Sequence, residues 1–148
     1  MPIELYSDEY FMQEALKEAQ KAFDADEVPV GAVIVAENRI IARAHNLTER
    51  LNDVTAHAEM QAITSAANAI GGKYLNECSI YISLEPCVMC AGALAWSQIG
   101  KVVYGAADSK RGFSIINHTV LHAKTKVIGG VLASESEQIL KAFFAKKR

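Results

Sequence analysis

Two kinds of segment alternate through most of this 148-residue chain, and their alternation constrains the fold more than any other feature. Short apolar runs have the length and β-branched content of buried strands, whereas longer stretches repeat apolar residues at helical spacing. The strand-like runs are 30–35, 39–44, 79–84, 101–104 and 126–132. After the first two runs, predicted helices separate the strands. This order favours an α/β sheet that is partly parallel and covered by helices on both faces.

Helix boundaries are predicted from residues that favour helix ends. Ser7 can cap a first helix, because its hydroxyl can accept a hydrogen bond from a free backbone N–H. Thr55 is expected to cap a second helix of about 56–69, which a Gly-Gly pair then ends. A third helix is expected to begin near Cys87 and a last one near Ser134.

The chain is predicted to form one domain over residues 1–148, because its length suits a single domain and it contains no repeat or linker-like stretch. Apolar residues make up 51% of it and charged residues 22%, which excludes a disordered chain. No apolar run approaches the roughly 20 residues of a membrane-spanning helix. The N-terminus does not resemble a secretion signal. We therefore expect a cytoplasmic protein with no membrane partner.

Two of the three cysteines are spaced for metal binding. An odd number of cysteines without a secretion signal argues against a disulfide framework. Cys87 and Cys90 are three residues apart and would lie on one face of a helical turn. With His57 they would supply three zinc ligands and leave a fourth tetrahedral position for water, as in catalytic sites. Cys78 is expected to be a small buried side chain.

The Cys-x-x-Cys pair also has two other interpretations, a structural zinc site and a redox pair. A structural site needs a fourth protein ligand, and a redox pair would leave His57 and Glu59 without a role. His57-x-Glu59 together with Pro-Cys-x-x-Cys matches the signature of zinc nucleobase deaminases. In that chemistry zinc activates water and the catalytic Glu59 transfers the protons. A non-catalytic zinc-binding module is a further alternative, which the intact Glu59 disfavours.

Three segments resemble one known family: VPVGAV at 28–33, TAHAEM at 55–60 and LEPCVMCAGA at 84–93. They are similar to the bacterial tRNA-specific adenosine deaminases, and the resemblance extends over about residues 7–112. That family converts adenosine at the wobble position of an anticodon to inosine, so the resemblance implies this reaction on a tRNA anticodon stem-loop. It also implies a three-layer α-β-α cytidine-deaminase-like fold with a mixed five-stranded sheet between helices, and a homodimer with one zinc ion per subunit.

The resemblance assigns roles to individual residues. Those that fall on the family's zinc ligands are His57, Cys87 and Cys90. Glu59 falls on its proton shuttle, Asn46 on an asparagine that hydrogen-bonds the flipped base, and Asp108 on an acidic residue near the backbone of the target nucleotide. The other expected substrate contacts are Val30, Ala58, Leu84 and Glu85. Without the resemblance, Asn46 would be interpreted as a turn former and Asp108 equally well as a helix cap.

Basic residues concentrate toward the C-terminal end. Residues 1–100 contain six Lys or Arg against fourteen Asp or Glu, whereas residues 101–148 contain nine against three. A basic region of this kind can contact phosphates, although a solvated surface has the same composition. The candidate RNA contacts are Lys110, Arg111, Phe144, Lys146, Lys147 and Arg148.

The segment 113–125 departs from the family pattern. It is shorter than its counterpart in close members and lacks their proline, and this region helps the family to hold the anticodon stem-loop. A free-base deaminase, acting on guanine or cytosine through the same zinc site, therefore remains the alternative function.

Overall fold

The computed structural model describes residues 2–147, and within them a five-stranded sheet separates two layers of helices. The strands are β1 (Gly31–Ala36), β2 (Arg39–His45), β3 (Cys78–Leu84), β4 (Lys101–Ala106) and β5 (Lys126–Ile128). The helices are α1 (Asp8–Asp24), α2 (Ala58–Ile70), α3 (Val88–Ser97), α4 (Phe113–Ile116) and α5 (Ala133–Lys146), with a short 3-10 helix at His118–Val120. The strand order is β2-β1-β3-β4-β5, antiparallel from β2 to β3 and parallel from β3 to β5. The predicted mixed α/β fold is confirmed.

The sheet is buried on both faces. On one face, alanines such as Ala62 of α2 and apolar residues such as Leu94 of α3 pack against Ile82 of β3. On the other face, Met12 of α1 packs among side chains that include Val103 of β4, and α5 lies beside the same strand. Strands that are covered on both sides have sequences of continuous apolar residues, and the strands here have such sequences. Within residues 2–147, no helix has the length and apolar character needed to cross a membrane.

Four strand ends meet at one edge of the sheet, and this edge carries the chemistry-bearing residues. β3 and β4 are parallel, and Leu84 at the end of β3 pairs with Ala106 at the end of β4. β1 is antiparallel to β3, so its first residue, Gly31, lies at the same edge beside the last residue of β2, His45. The segments that leave these strand ends lead into α2, α3 and α4. In α/β folds, ligand sites form beyond the carboxyl ends of the strands.

The expected capping role of Ser7 is confirmed, but that of Thr55 is wrong. The Ser7 hydroxyl accepts a hydrogen bond from the N–H of Tyr10 at 3.1 Å. The N–H and hydroxyl of Thr55 instead donate to the Asp53 carboxylate, each at 2.8 Å. This turn extends the loop by two residues, so that α2 begins at Ala58 with His57 as its N-cap residue.

The last strand is shorter than its apolar run predicted. The run 126–132 suggested a strand along its whole length, but β5 ends at Ile128. Gly130, at φ 85°, and Leu132, at φ 54°, have left-handed conformations that cannot continue a strand. Leu132 becomes the N-cap residue of α5, which begins one residue before Ser134.

Candidate active site

The three predicted zinc ligands meet at the edge of the sheet where α2 and α3 begin. His57 is the N-cap residue of α2, Cys87 is the N-cap residue of α3, and Cys90 lies in the first turn of α3. Within residues 2–147, neither N-cap side chain makes a capping hydrogen bond. His57 Nδ1 lies 3.8 Å from Cys87 Sγ and 3.4 Å from Cys90 Sγ. All three ligand atoms lie within 4.8 Å of one another.

These separations fit a tetrahedral zinc ion. With Zn–S bonds of about 2.3 Å and Zn–N bonds of about 2.0 Å, tetrahedral ligand atoms lie roughly 3.5–3.8 Å apart. Two thiolates and one imidazole are ligands that zinc prefers. They fill three positions and leave the fourth for water or substrate, the pattern of a catalytic rather than a structural site. The group formed by His57, Cys87 and Cys90 is therefore positioned to bind one zinc ion, as predicted.

The surroundings of the two thiols favour a thiolate at Cys87. A hydrogen bond with Cys90, supported by one with His57, lowers the pKa of Cys87 to about 4 despite partial burial. The interaction with Cys87 and burial raise the pKa of Cys90 above its ordinary value. The positive end of α3 also favours negative charge at Cys87. Because thiolates are the form that binds metal, Cys87 is already in the protonation state that binds a zinc ion. Metal binding at Cys90 would release the proton of its thiol.

Glu59 lies next to the metal ligands in the first turn of α2. It is only 3% exposed, and burial raises the pKa of its carboxyl above the usual range. A carboxyl group with a raised pKa can both accept and return a proton near neutral pH. Its position two residues after His57 therefore suits the proton transfer that the sequence predicted for it.

A cavity of about 240 Å³ opens directly above the ligand group. Its wall contains all six residues that were expected to contact substrate: Val30, Asn46, Ala58, Leu84, Glu85 and Asp108. His57, Glu59 and Cys87 line the same cavity, so the candidate ligands and the candidate proton carrier share one space. Arg111, Val28 and Thr48 complete the wall, and the sequence analysis missed Val28 and Thr48. Val28 lies in the VPVGAV motif, which could have identified it, whereas nothing about Thr48 in the sequence indicated its position.

Asn46 and Asp108 both form turns and both line the cavity. The Asn46 amide donates to the Val28 carbonyl at 3.3 Å, and its side-chain oxygen accepts from the N–H of Thr48 at 3.3 Å. The NH2 group of Asn46 keeps one free N–H, and its carbonyl oxygen keeps one free acceptor position, so both can bind a base. Asp108 accepts from the N–H groups of Lys110 and Arg111, both at 3.0 Å, so it stabilises a tight turn and does not cap α4. The two interpretations of Asn46 are therefore compatible.

The predicted RNA contacts fall into two groups. Arg111 lines the cavity, and Lys110 and Arg111 together line an adjoining apolar groove. Lys146 and Lys147 lie at the end of α5, where both pair with Asp26 at 3.7 and 2.6 Å. Phe144 is 48% exposed and lines a shallow depression together with Lys110 and Lys147. Arg148 lies outside the described residues.

Known proteins share both the motifs and the fold. The sequence profile of the cytidine and deoxycytidylate deaminase zinc-binding region matches residues 5–106. The tRNA-specific adenosine deaminase of Aquifex aeolicus is 46% identical over 145 residues, which is 95% of each chain. A solved structure from studies of A-to-I editing by tRNA:A34 deaminases is 44% identical, with a TM-score of 0.82 over 88% of this chain and 99% of that one. A guanine deaminase from Bacillus subtilis is 37% identical, with a TM-score of 0.67 over 74% of each chain.

Sequence identity, rather than coverage of the fold, separates these relatives. The adenosine deaminase of Aquifex aeolicus is 46% identical over 95% of the chain, whereas the Bacillus subtilis guanine deaminase is 37% identical over 74% of it. A guanine deaminase from Nitrosomonas europaea covers 98% of this chain with a TM-score of 0.83, but at 24% identity it shows only that the fold is shared. The zinc ligands His57, Cys87 and Cys90 lie inside the region that the deaminase profile matches. Because the profile match covers more than half of the chain and the adenosine deaminase of Aquifex aeolicus is 46% identical over nearly all of it, the chain belongs to the family of tRNA-specific adenosine deaminases, within the zinc-binding cytidine and deoxycytidylate deaminases.

Proposed function

We propose that this chain is a single catalytic domain over residues 1–148 that hydrolyses adenosine to inosine at the wobble position of a tRNA anticodon and releases ammonia. The observation that carries the proposal is that Glu59 and the metal ligands His57 and Cys87 line one cavity. Family membership supports adenosine as the target nucleoside. The proposed place of action is the cytoplasm, where its tRNA substrate is found.

Glu59 is the catalytic residue of this reaction. A zinc ion held by His57, Cys87 and Cys90 would lower the pKa of water toward neutrality. The Glu59 carboxylate accepts a proton from the attacking water and delivers it to N1 of adenine, which makes C6 more electrophilic. After the oxygen adds to C6, Glu59 takes the remaining proton from that oxygen and passes it to the exocyclic amino group. The C6–N bond breaks, ammonia leaves, and inosine remains.

The cavity wall can hold an extruded base on three sides. Asn46 has one free donor and one free acceptor position, which suit the polar edge of a purine. Val30 and Leu84 offer apolar contacts to its faces. Asp108 lies at the cavity mouth, where it can contact the sugar of the flipped nucleotide or its neighbour. Flipping costs unstacking energy, and an anticodon loop, which is already single-stranded, minimises this cost.

Free-base deamination is the second candidate, because the Bacillus subtilis guanine deaminase shares three quarters of the fold. Cationic side chains at the cavity mouth favour the RNA substrate instead. Arg111 lines the cavity itself, and Lys110 joins it along the adjoining groove. Among residues 2–147, neither side chain forms an ion pair, so both charges are available to phosphates. A neutral free base would gain nothing from them.

We expect an anticodon stem-loop with a wobble adenosine to be deaminated, and free adenine, guanine and cytosine to be poor substrates. Phosphate contacts release counterions, so stem-loop affinity should fall steeply with salt. Replacing Lys110 and Arg111 together by Ala should weaken binding and reduce the slope of log K against log salt by about 2, roughly one for each lost contact. Binding titrations at four salt concentrations, with ammonia release measured in parallel, test both expectations.

The matched control is the double variant Lys146→Ala, Lys147→Ala. These side chains already pair with Asp26, so we expect a smaller change in the salt slope than at positions 110 and 111. Zinc content should remain unchanged in both double variants. Efficient turnover of guanine or cytosine, with the stem-loop left unmodified, would contradict the tRNA assignment and support the free-base alternative.

We also propose that the protein is a homodimer, because one apolar surface next to the active site has no covering within residues 2–147. This surface, here called the α3 face, consists of Val54, Val88, Trp96, Ile115 and Ile116, which are between 50% and 85% exposed. Val88 and Trp96 are eight residues apart on α3 and therefore lie on one side of the helix. Four of these residues, all except Trp96, line one groove. Exposed apolar residues grouped in this way usually mark an interface, and a two-fold axis would bury the patch on both copies.

Sedimentation velocity should show a dimer at micromolar concentration, and Trp96→Glu should shift it to a monomer. Trp96 is 85% exposed in the single chain, so the substitution should not disturb the fold of one subunit. Tyr74→Glu is the matched control, since Tyr74 is also exposed but lies outside the α3 face. A wild-type monomer, or a dimer that resists Trp96→Glu, would contradict the proposed interface.

A further inference from the structure

Two buried carboxylates, Glu27 and Glu85, lie at the substrate cavity: Glu85 lines it, and Glu27 directly precedes the lining residue Val28. Glu27 is 1% exposed and precedes the cavity residue Val28. Glu85 is 3% exposed and follows the cavity residue Leu84. A buried carboxylate is unfavourable unless hydrogen bonds replace its hydration, so the donors that satisfy each one indicate what it holds in place. In both cases these donors lie in a loop next to the cavity or, for Ser114, in the first turn of the helix that follows it.

Glu27 holds the loop between β2 and α2. Its two carboxylate oxygens accept hydrogen bonds from the N–H groups of Glu49 at 3.0 Å and Arg50 at 2.7 Å. This loop also carries the cavity residues Asn46 and Thr48. The Glu27 carboxylate therefore joins the segment that contains Val28 to the neighbouring wall of the cavity.

Glu85 holds the loop between β4 and α4 in the same manner. One oxygen accepts from the N–H of Asp108 at 3.0 Å, and the other accepts from the N–H and the hydroxyl of Ser114 at 3.1 and 2.6 Å. The loop between these two donors carries Arg111. Gly112 packs against the carboxylate so closely that a Cβ atom there would lie 2.4 Å from it. Glu85 thus joins the wall that contains Leu84 to the wall that contains Asp108.

We propose that Glu27 and Glu85 are positioning residues that hold the two mouth loops, residues 46–53 and 107–114, at the spacing that a flipped adenosine requires. The inference rests on the proposed function for its kinetic part only. The remaining cavity wall comes from strand ends and from α2, whose backbone hydrogen bonds already fix it. The mouth loops have only scattered backbone hydrogen bonds, such as those from Asp53 to Thr48 and from Gly112 to Asp108, and the two buried carboxylates add charged acceptors to them. This assignment replaces a direct substrate contact for Glu85, whose carboxylate oxygens accept three hydrogen bonds from the loop.

Amide exchange of the zinc-loaded protein tests the proposal without any substrate. A glutamine at either position keeps the shape but turns an NH2 group toward a backbone N–H, which leaves one buried donor without an acceptor. In Glu27→Gln, the amides of Glu49 and Arg50 should exchange about tenfold faster, and those of Asp108 and Ser114 should not change. In Glu85→Gln the pattern should be reversed.

Kinetics on the stem-loop separates positioning from simple stabilisation. For each glutamine variant we expect kcat/KM to fall about tenfold, mainly through KM, because the metal ligands and Glu59 stay in place. Asp8→Asn is the control: Asp8 accepts hydrogen bonds from Tyr81 and Lys101 near the opposite edge of the sheet. It should lower the melting temperature without changing KM.

Three variants at the two residues that contact Glu85 test its role indirectly, in case Glu85→Gln folds poorly. Gly112→Ala should displace the carboxylate and reproduce the exchange pattern of Glu85→Gln, since the φ of −63° at Gly112 is acceptable to alanine. Ser114→Ala removes one of the three hydrogen bonds and should give a smaller effect, which Ser114→Thr should restore by keeping the hydroxyl. For Glu27, Glu27→Asp keeps the charge but shortens its reach and should fall between wild type and Glu27→Gln.

The exchange experiment and the kinetic experiment test different statements, so one proposal can be contradicted while the other stands. Unchanged loop exchange in Glu27→Gln and Glu85→Gln would overturn the positioning role, whatever the substrate. Loop-specific exchange without stem-loop deamination by the wild-type protein would instead leave the positioning role intact and overturn the proposed function. Loss of stability with unchanged loop exchange and unchanged KM would show that the two carboxylates serve folding alone.

Discussion

Replacing Glu59 by Gln should leave zinc content and fold unchanged while reducing kcat by a factor of about 10²–10⁴. Glutamine has nearly the same shape as glutamate but cannot accept and return a proton. The loss should lie toward the upper end of this range, because one carboxylate serves both the proton transfer to N1 and the transfer to the departing amino group. Single-turnover measurements with an anticodon stem-loop isolate the chemical step from product release.

The control for Glu59→Gln is Glu77→Gln, which neutralises an exposed carboxylate away from the cavity and should keep wild-type kcat. Binding of the stem-loop to Glu59→Gln should stay within a few fold of wild type, since the residue lies at the floor of the cavity and away from the phosphates. Retention of a tenth of wild-type kcat by Glu59→Gln would show that another group moves the protons.

Replacing Cys87 by Ala should remove zinc and turnover together. Two remaining ligands, His57 and Cys90, cannot hold the ion at a useful affinity. A zinc ion present at a hundred times its Kd contributes about 2.7 kcal/mol to stability. For a domain of this size, losing that contribution corresponds to a fall in melting temperature of about 5–11 °C. Metal analysis by atomic absorption and a thermal melt, each with and without added zinc, measure both effects.

The chain supplies a matched control in Cys78, which is buried at the start of β3, away from the metal ligands. Cys78→Ala should cost about 1 kcal/mol through lost packing but keep one zinc ion per chain and normal kcat. Treating the wild-type protein with a chelator should reproduce the Cys87→Ala melting temperature, and zinc should reverse it. Full zinc occupancy in Cys87→Ala would mean that another side chain completes the site.

Which parts of the site were predictable depends on how far apart the interacting residues are in sequence. The spacing of Cys87-x-x-Cys90 within one helical turn made this pair of ligands predictable. His57 and Glu59 were predictable only because their motif, together with Pro-Cys-x-x-Cys, matches a known signature, since His57 is 30 and 33 residues away from the two cysteines. The loop positions were not, because their partners are distant in sequence. Thr48 lies in a loop whose Glu49 and Arg50 N–H groups donate to the Glu27 carboxylate, more than twenty residues earlier in the chain. Lys147, predicted as an RNA contact, pairs with Asp26, 121 residues away.

By itself, the sequence determined the alternation of strands and helices and the donor set for zinc, and it identified Glu59 as the candidate proton carrier. Periodicity, helix-end chemistry and ligand type are local properties, so they can be inferred from neighbouring residues. Only the tertiary structure decided that His57 and not Thr55 begins α2, that β5 ends at Ile128, and which loops wall the cavity. These features depend on hydrogen bonds and packing between distant segments, whose free energies outweigh local preference and cannot be summed from the sequence before the fold is known.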